Sequence, residues 1–316
     1  MLLYPWRSRK LAMLVPVIVA ITFAILYIEV FIATKHALLN GMPHNFNFGG
    51  GVLTPWKMRF PGVLQRIGVC YGVGATIALF AGWRTVLAAA VFFMTVYAAL
   101  MLAAPFDNHT TGSLTKDDNL ARRIDERVFR DHNYRSYPDP EGLLSTLPAI
   151  GSVLLGVFVG VGLRNPSLTP NEKAARLLAW GVITSILGVL LGWWLMPINK
   201  QIWTPSFTVF TAGMAMLGLG AVYYIADVRG RRAWALPFTI YGMNAILAFV
   251  LAGIAGRMLA LVTIDQTPLL PYLYRNFFIP HFTPEVNASL AYAIMFVLAF
   301  LVIMSVLYVL RIFIKV

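Results

Sequence analysis

Eight runs of about 20 apolar residues divide this chain, and their length restricts it to one class of fold. The runs cover residues 11–32, 60–81, 85–105, 143–163, 174–196, 206–225, 234–262 and 286–314. A helix of this length crosses a hydrocarbon core of about 30 Å, where every backbone amide must be satisfied within the chain. We therefore predict an all-α integral membrane protein with about eight transmembrane helices in one bundle. This bundle would form a single domain over residues 1–316.

The composition excludes a soluble domain and gives no reason to expect a nucleic-acid partner. Hydrophobic residues make up 59 % of the chain and charged residues only 12 %, with a mean hydropathy of +0.73. The formal charge of +12 is explained more simply by the orientation of membrane helices than by nucleic acid. The one cysteine, Cys70, lies inside the second run, which excludes an intrachain disulfide and a cysteine metal cluster. No metal site is predicted.

The distribution of Lys and Arg predicts the topology. With the N-terminus in the cytoplasm, twelve of these residues fall in inner segments and five in short outer loops. Positive charge concentrates on the cytoplasmic side of membrane proteins, so both termini are predicted to be cytoplasmic. A polar loop between helices 3 and 4, residues 106–142, then lies outside and holds eight of the chain's 13 acids.

All five histidines also fall in predicted outer loops. One explanation is that outer loops are simply where polar residues can be accommodated. The other is that this face binds a cationic or polyhydroxylated substrate from outside. If the protein catalyses a reaction that needs a general base, His132 is the first candidate and His36 the second, because histidine side chains titrate near neutrality.

Arg66 lies about six residues inside the second run and is the most unusual charge in the chain. Gly62, Cys70 and Gly74 share its helical face, and their small side chains let another helix approach closely. The guanidinium either extends to the membrane surface or points into the bundle, where it would bind a carboxylate or phosphate. Glu29, near the outer end of the first run, is one possible protein partner.

Polar residues gather at three further places beside or inside the apolar runs. Asp139 and Glu141 stand at the mouth of the fourth run, where carboxylates usually contact a substrate, an ion or a fixed partner. Asn244 lies within the seventh run and needs a hydrogen-bond partner, which a ligand could supply. In the loop at 197–204, Trp203 favours an interfacial position. For Asn199 and Lys200 a loop role and a ligand role remain equally open.

Four segments, taken in order, carry a resemblance to a known family. They are RFPGVLQRIG at 59–68, DPEGLLSTLPAI at 139–150, NKQIWT at 199–204, and PF at 237–238 followed by GMNA at 242–245. Together they resemble the heparan-α-glucosaminide N-acetyltransferase family, which includes the bacterial NagX-like transmembrane proteins. The resemblance covers roughly residues 38–251. It implies a multi-pass protein of the bacterial inner membrane.

The family implies an acyltransferase that takes acetyl from acetyl-CoA and delivers it to an amino sugar or related glycan across the membrane. His132, Asp139 and Glu141 would be catalytic, with a carboxylate orienting the histidine or holding the ammonium of the sugar. The expected substrate- and cofactor-binding residues are Gln65, Arg66, Tyr134, Asn199, Lys200, Trp203 and Asn244. The CoA phosphates would meet Arg66 or the cytoplasmic residues Arg229, Arg231 and Arg232. A second copy of this chain, in a homodimer, is a further candidate partner.

The beginning of the chain departs from the family pattern. Family members usually open with a Leu-Arg-Gly segment and a helix containing Phe-Pro-Phe, and a catalytic histidine is assigned to the loop between them. Here the segment KHALLNG at 35–41 resembles that opening only superficially, so about two helices of the pattern are expected to be missing. The alternative function is therefore a sugar-binding or transport protein that keeps the cavity and has lost catalysis.

Overall fold

The structure is a computed structural model. It describes residues 47–48, 51–52, 60–105, 111–115, 118–129, 132–133, 139–264 and 266–314. The predicted first span at 11–32 and the residues Glu29, His36 and Tyr134 lie outside these ranges. The described residues cluster into two compact units, 60–228 in the first, and 47–48, 51–52 and 229–314 in the second.

The first unit is a helical bundle. Its helices are α1 (Val63–Phe80), α2 (Trp83–Ala103), α3 (Leu120–Phe129), α4 (Thr146–Leu163), α5 (Pro170–Trp194) and α6 (Pro205–Tyr223). A π-helical turn, Tyr224–Val228, extends α6. The short helix α3 belongs to the predicted polar loop, and the other five are long and apolar enough to cross a membrane.

Apolar helices in this unit approach closely where glycine replaces a side chain. A Cβ on Gly74 of α1 would lie 2.7 Å from a methyl group of Val153 in α4. A Cβ on Gly188 of α5 would come as close to the backbone of Phe210 in α6. The predicted small-residue face of the second run is therefore a packing surface, and Arg66 and Cys70 are buried on it.

The second unit contains two short hairpins and further helices. The hairpins pair β1 (Asn47–Phe48) with β2 (Gly51–Val52) and β3 (Thr263–Ile264) with β4 (Thr267–Pro268). The helices are α7 (Leu236–Met243), α8 (Ala245–Leu261), α9 (Leu269–Leu273) and α10 (Glu285–Val309). Of these, α10 is long enough to be a span by itself. Short 3-10 and π-helical turns cover Ala233–Ala235, Tyr274–Phe278 and Ile279–His281.

The predicted seventh span, 234–262, is broken at Asn244 rather than continuous. The segments Ala233–Met243 and Ala245–Gly256 meet at 69°, because Asn244 has a non-helical backbone with φ −134° and ψ 39°. Counting this bent pair once, the described residues contain up to seven membrane spans. The prediction of an all-α membrane protein is confirmed.

Candidate functional site

Arg66 stands where three segments of the first unit meet. The residue is 9 % exposed, and its guanidinium donates to the carbonyl oxygens of Pro140, through Nη1, and Ser145, through Nη2 at 3.0 Å. Its Cζ lies 4.1 Å from the ring centroid of Trp203. Burial of a cation is costly unless its donors are satisfied. The two hydrogen bonds and the contact with the Trp203 ring reduce that cost. The side chain thus points into the bundle, and backbone carbonyls occupy two of its donors.

A tight turn at Asp139–Gly142 presents one of these carbonyls to Arg66. Asp139 shapes the turn, since its Oδ1 accepts the N–H of Glu141 and its carbonyl accepts the N–H of Gly142, both at 3.0 Å. Asp139 is 2 % exposed. Glu141 is half-buried, and its carboxylate interacts electrostatically with Arg66. The four-residue motif is therefore a folded turn at the start of α4.

Asp125 is a buried carboxylate that the sequence analysis missed. Its Oδ1 accepts the N–H of Leu143 at 2.8 Å, whereas Oδ2 has no hydrogen-bond partner among the described residues. The pKa of Asp125 is raised to about 7, chiefly by burial and to a smaller extent by Asp139 and Glu126, while the hydrogen bond from the Leu143 N–H lowers it. The available signal was an acid on the buried side of an amphipathic helix, shared with Leu120 and Ala121.

The loop between α5 and α6 folds around Asn199 and Thr204. The Asn199 side chain accepts the N–H of Gln201 at 2.8 Å, and the Thr204 hydroxyl accepts the N–H of Asn199 at 3.0 Å. Lys200 is exposed at the tip. These bonds give Asn199 a structural role in the turn, and they hold Trp203, which follows, in a fixed backbone position.

Trp203, for which the sequence favours an interfacial position, is half-buried in the first unit. Its ring packs against Arg66, and its Nε1–H donates to the Ser152 hydroxyl of α4 at 3.1 Å. Its φ of 51° lies in the left-handed region, which a bulky residue adopts at a cost of about 1–3 kcal/mol. The loop therefore holds a strained backbone so that this ring can reach the arginine. Tyr97 of α2 supports the same loop by donating its hydroxyl to the Ile202 carbonyl.

His132 lies at the end of the first unit where α1 begins, close to the residues described above. Its ring stacks on Phe60, with centroids 4.2 Å apart, and its carbonyl accepts the N–H of Phe60 at 3.0 Å. Phe60 precedes Arg66 by less than two helical turns. Gln65, by contrast, is exposed, and its side chain folds back against Gly62. We call this end, where α1, α4 and α6 begin, the Arg66 end.

Asn244 belongs to the second unit, where its amide is fully used. Nδ2 donates to the Ile312 carbonyl and Oδ1 accepts the N–H of Ile314, both at 2.9 Å. The hydrogen-bond partners that the sequence required are thus supplied by the C-terminal backbone. Asn244 joins the break between α7 and α8 to the segment after α10.

The fold and the Arg66 end define a class: a multi-pass helical membrane protein with a buried polar cluster beside one end of an apolar bundle. Comparison with models of known protein families gives no match. The chain is 28 % identical to mouse (Mus musculus) heparan-α-glucosaminide N-acetyltransferase over 258 residues, covering 65 % of this chain and 39 % of that protein. The human (Homo sapiens) protein of the same name is 27 % identical, covering 65 % and 38 %.

The chain is thus a distant relative of the heparan-α-glucosaminide N-acetyltransferases, and the resemblance carried by the four ordered segments is confirmed. It spans about two fifths of the length of these curated relatives.

Proposed function

We propose that this chain acts as a membrane acetyltransferase, moving acetyl from acetyl-CoA to the amine of an amino sugar or a related glycan. The observation that carries the proposal is the meeting of three family-like segments around Arg66 in the first unit. The similarity to two acetyltransferases supports the same reaction class. We propose acetyl-CoA as the donor and an amino sugar as the acceptor. The protein would lie in a bacterial inner membrane, with both termini in the cytoplasm.

The reaction needs little from the protein beyond a base and a positioned amine. The amine nitrogen attacks the thioester carbonyl, the C–S bond breaks, the nitrogen loses a proton, and the CoA sulfur leaves and is protonated. His132 is the candidate base, because it lies at the Arg66 end on the solvent-facing ring of Phe60. Glu141, half-buried beside Arg66, suits the ammonium or the hydroxyls of the sugar.

Arg66 and Asp139 have a different role in this scheme. Arg66 donates two hydrogen bonds to backbone carbonyls, and the Oδ1 of Asp139 accepts one from a backbone N–H. Both therefore position the turn that carries Glu141. Of the residues expected to meet CoA phosphates, Arg229, Arg231 and Arg232 remain candidates.

The test is an acetyl-transfer assay on the purified protein in proteoliposomes, with labelled acetyl-CoA and glucosamine. We expect labelled N-acetylglucosamine, and Glu141→Gln should raise the KM for the amine about tenfold or more, since a charge-assisted contact is lost. Glu285→Gln is the matched control, because Glu285 is an exposed acid at the start of α10 in the other unit. An unchanged KM in Glu141→Gln would overturn the assignment of Glu141.

A sugar-binding or transport protein is the second candidate, favoured by the use of the Arg66 donors on backbone carbonyls rather than on a reacting group. It predicts that glucosamine raises the unfolding temperature, or is taken up, without acetylation. Asp139→Ala should abolish that response because it removes the Oδ1 acceptor that shapes the turn. Transfer of labelled acetyl by the wild-type protein would exclude this candidate as the sole function.

A further inference from the structure

A second polar feature lies at the opposite end of the first unit, where α1 and α4 end and α2 and α5 begin. A groove of about 630 Å³ opens there between α4, the loop after it and α5. Three cations line it: Arg164 follows the last residue of α4, and Lys173 and Arg176 lie in the first two turns of α5. This cationic groove takes no part in the acetyl-transfer scheme.

The walls of the groove are mostly hydrocarbon. The lining includes Phe158, Leu177 and Met216, which are buried or half-buried, and two tryptophans, Trp83 and Trp180. Their side chains are about half exposed, at 49 % and 59 %. Tryptophan with Lys and Arg at the ends of apolar helices is typical of the depth where lipid headgroups lie. The groove thus joins an apolar cleft to a cationic rim at that depth.

Glu172, the acid nearest these cations in sequence, is already hydrogen-bonded elsewhere. The Glu172 carboxylate accepts from the N–H of Thr169 at 2.8 Å and from its hydroxyl at 2.9 Å, in the capping box that starts α5. It therefore serves the helix N-terminus, although its charge also acts on Arg176. The three cations therefore leave the groove with a net positive charge, which favours an anionic ligand.

We propose that this groove binds the phosphate headgroup of an anionic membrane phospholipid, with an acyl chain along the apolar wall. The charge of the rim fits a phosphate diester, and the apolar depth fits a hydrocarbon tail that a free phosphate lacks. The bilayer supplies such a lipid directly at the ends of these spans. The inference does not depend on acetyl transfer, and it holds for either candidate function.

The test compares two lipids with the same chains on the whole protein in neutral detergent. Dioleoylphosphatidylglycerol should raise the unfolding temperature by several degrees more than dioleoylphosphatidylcholine. The double variant Lys173→Gln/Arg176→Gln should weaken the apparent affinity for phosphatidylglycerol about 25-fold, since each cation contributes about fivefold near a membrane surface. The variant Arg275→Gln/Arg311→Gln removes equal charge from exposed positions of the other unit and should keep the wild-type response.

Three results would overturn the proposal. Equal stabilisation by the two lipids would show no headgroup recognition, and equal loss in both double variants would show only a general charge effect. Stabilisation by free coenzyme A that depends on Lys173 and Arg176, without a phosphatidylglycerol response, would assign the groove to a soluble phosphate ester. If the glutamine variant does not fold, Lys173→Arg/Arg176→Lys keeps both charges. This swapped variant should bind phosphatidylglycerol within about threefold of wild type, as counted by native mass spectrometry.

Discussion

Asp125 accepts the backbone N–H of Leu143 through Oδ1 at 2.8 Å, and this bond ties α3 to the residues just before α4. Leu143 directly follows the Asp139–Gly142 turn whose Pro140 carbonyl binds Arg66. One oxygen of a buried carboxylate therefore connects the polar loop segment that contains α3 to the arginine inside the bundle. The stability of the Arg66 end should depend on the protonation of Asp125.

The first prediction concerns pH. The pKa of Asp125 is about 7 in the fold and near 3.8 when exposed, so the folded state binds more protons between these values. Stability contributed by Asp125 is complete below about pH 4, is lost as the pH rises to about 7, and stays lost above it. Asp125→Asn removes this loss, and its unfolding temperature should fall less than that of the wild type between pH 5 and pH 7.5.

The charged groups around Asp125 define the control for this experiment. Asp139 and Glu126 both raise its pKa. Glu126 is exposed and paired with Arg122, so Glu126→Gln should leave most of the pH dependence in place. Equal pH profiles for the wild type and Asp125→Asn would contradict the assignment.

The second prediction concerns Gly142, because a Cβ there would overlap the carboxylate of Asp125. Gly142→Ala should lower the free energy of unfolding by about 1–3 kcal/mol, as overpacking does in a closed site. Gly156→Ala in α4 is the matched control, since a Cβ at Gly156 meets nothing within 4 Å. It should have the opposite sign, about 0.5–1 kcal/mol of stabilisation.

Adding Asp125→Ala to Gly142→Ala removes the overlapping carboxylate. The pair should be less destabilised than the sum of the single variants, by about 0.5–3 kcal/mol in a double-mutant cycle. Strict additivity in denaturant unfolding would show that the two residues are not in contact.

The third prediction compares two arginines that lie over tryptophan rings. Arg66→Lys loses a planar fork that serves two carbonyls and should cost about 1–3 kcal/mol of stability. Arg84, whose Cζ is 5.2 Å from the Trp83 ring centroid, is exposed. Arg84→Lys should change stability by less than about 0.5 kcal/mol. Similar losses in both would mean that burial of Arg66 carries no energetic weight.

The fourth prediction isolates the hydrogen bond between Trp203 and Ser152. Trp203→Phe keeps an aromatic face under Arg66 but removes the donor, and Ser152→Ala removes the acceptor. A thermodynamic cycle should give a coupling of about 1 kcal/mol. Ser185→Ala is the control, because that buried hydroxyl has no partner among the described residues and its removal should cost little. A coupling near zero would contradict a stabilising hydrogen bond between the Trp203 and Ser152 side chains.

The spans were predictable because bilayer thickness sets the length of an apolar run, and each run within the described residues contains a helix. Helix α4 begins at Thr146 and ends at Leu163, within three residues of the prediction. The break at Asn244 was not predictable from hydropathy, because Asn244 there bonds to a backbone carbonyl 68 residues away. Hydropathy measures a segment alone, whereas such a bond depends on the tertiary fold.

The site was predictable only in part, because its contacts also depend on the tertiary fold. The resemblance pointed to Arg66, Asp139 and Trp203, but the partners of Arg66 are carbonyls 74 and 79 residues away, which no local pattern encodes. Asp125 was hidden in a segment that the charge count treated as a polar loop. A helical projection of residues 120–129 would have placed it among buried apolar residues.

We propose that the Arg66 end is the substrate-binding end of an acetyl-transferring bundle. Its most direct test is the initial rate of N-acetylglucosamine formation in proteoliposomes of uniform orientation, with acetyl-CoA and glucosamine on opposite sides. We expect product when glucosamine faces the Arg66 end, and a rate lowered about tenfold or more by Glu141→Gln but not by Glu285→Gln. A rate that ignores the side of the amine and the Glu141→Gln change would contradict the account.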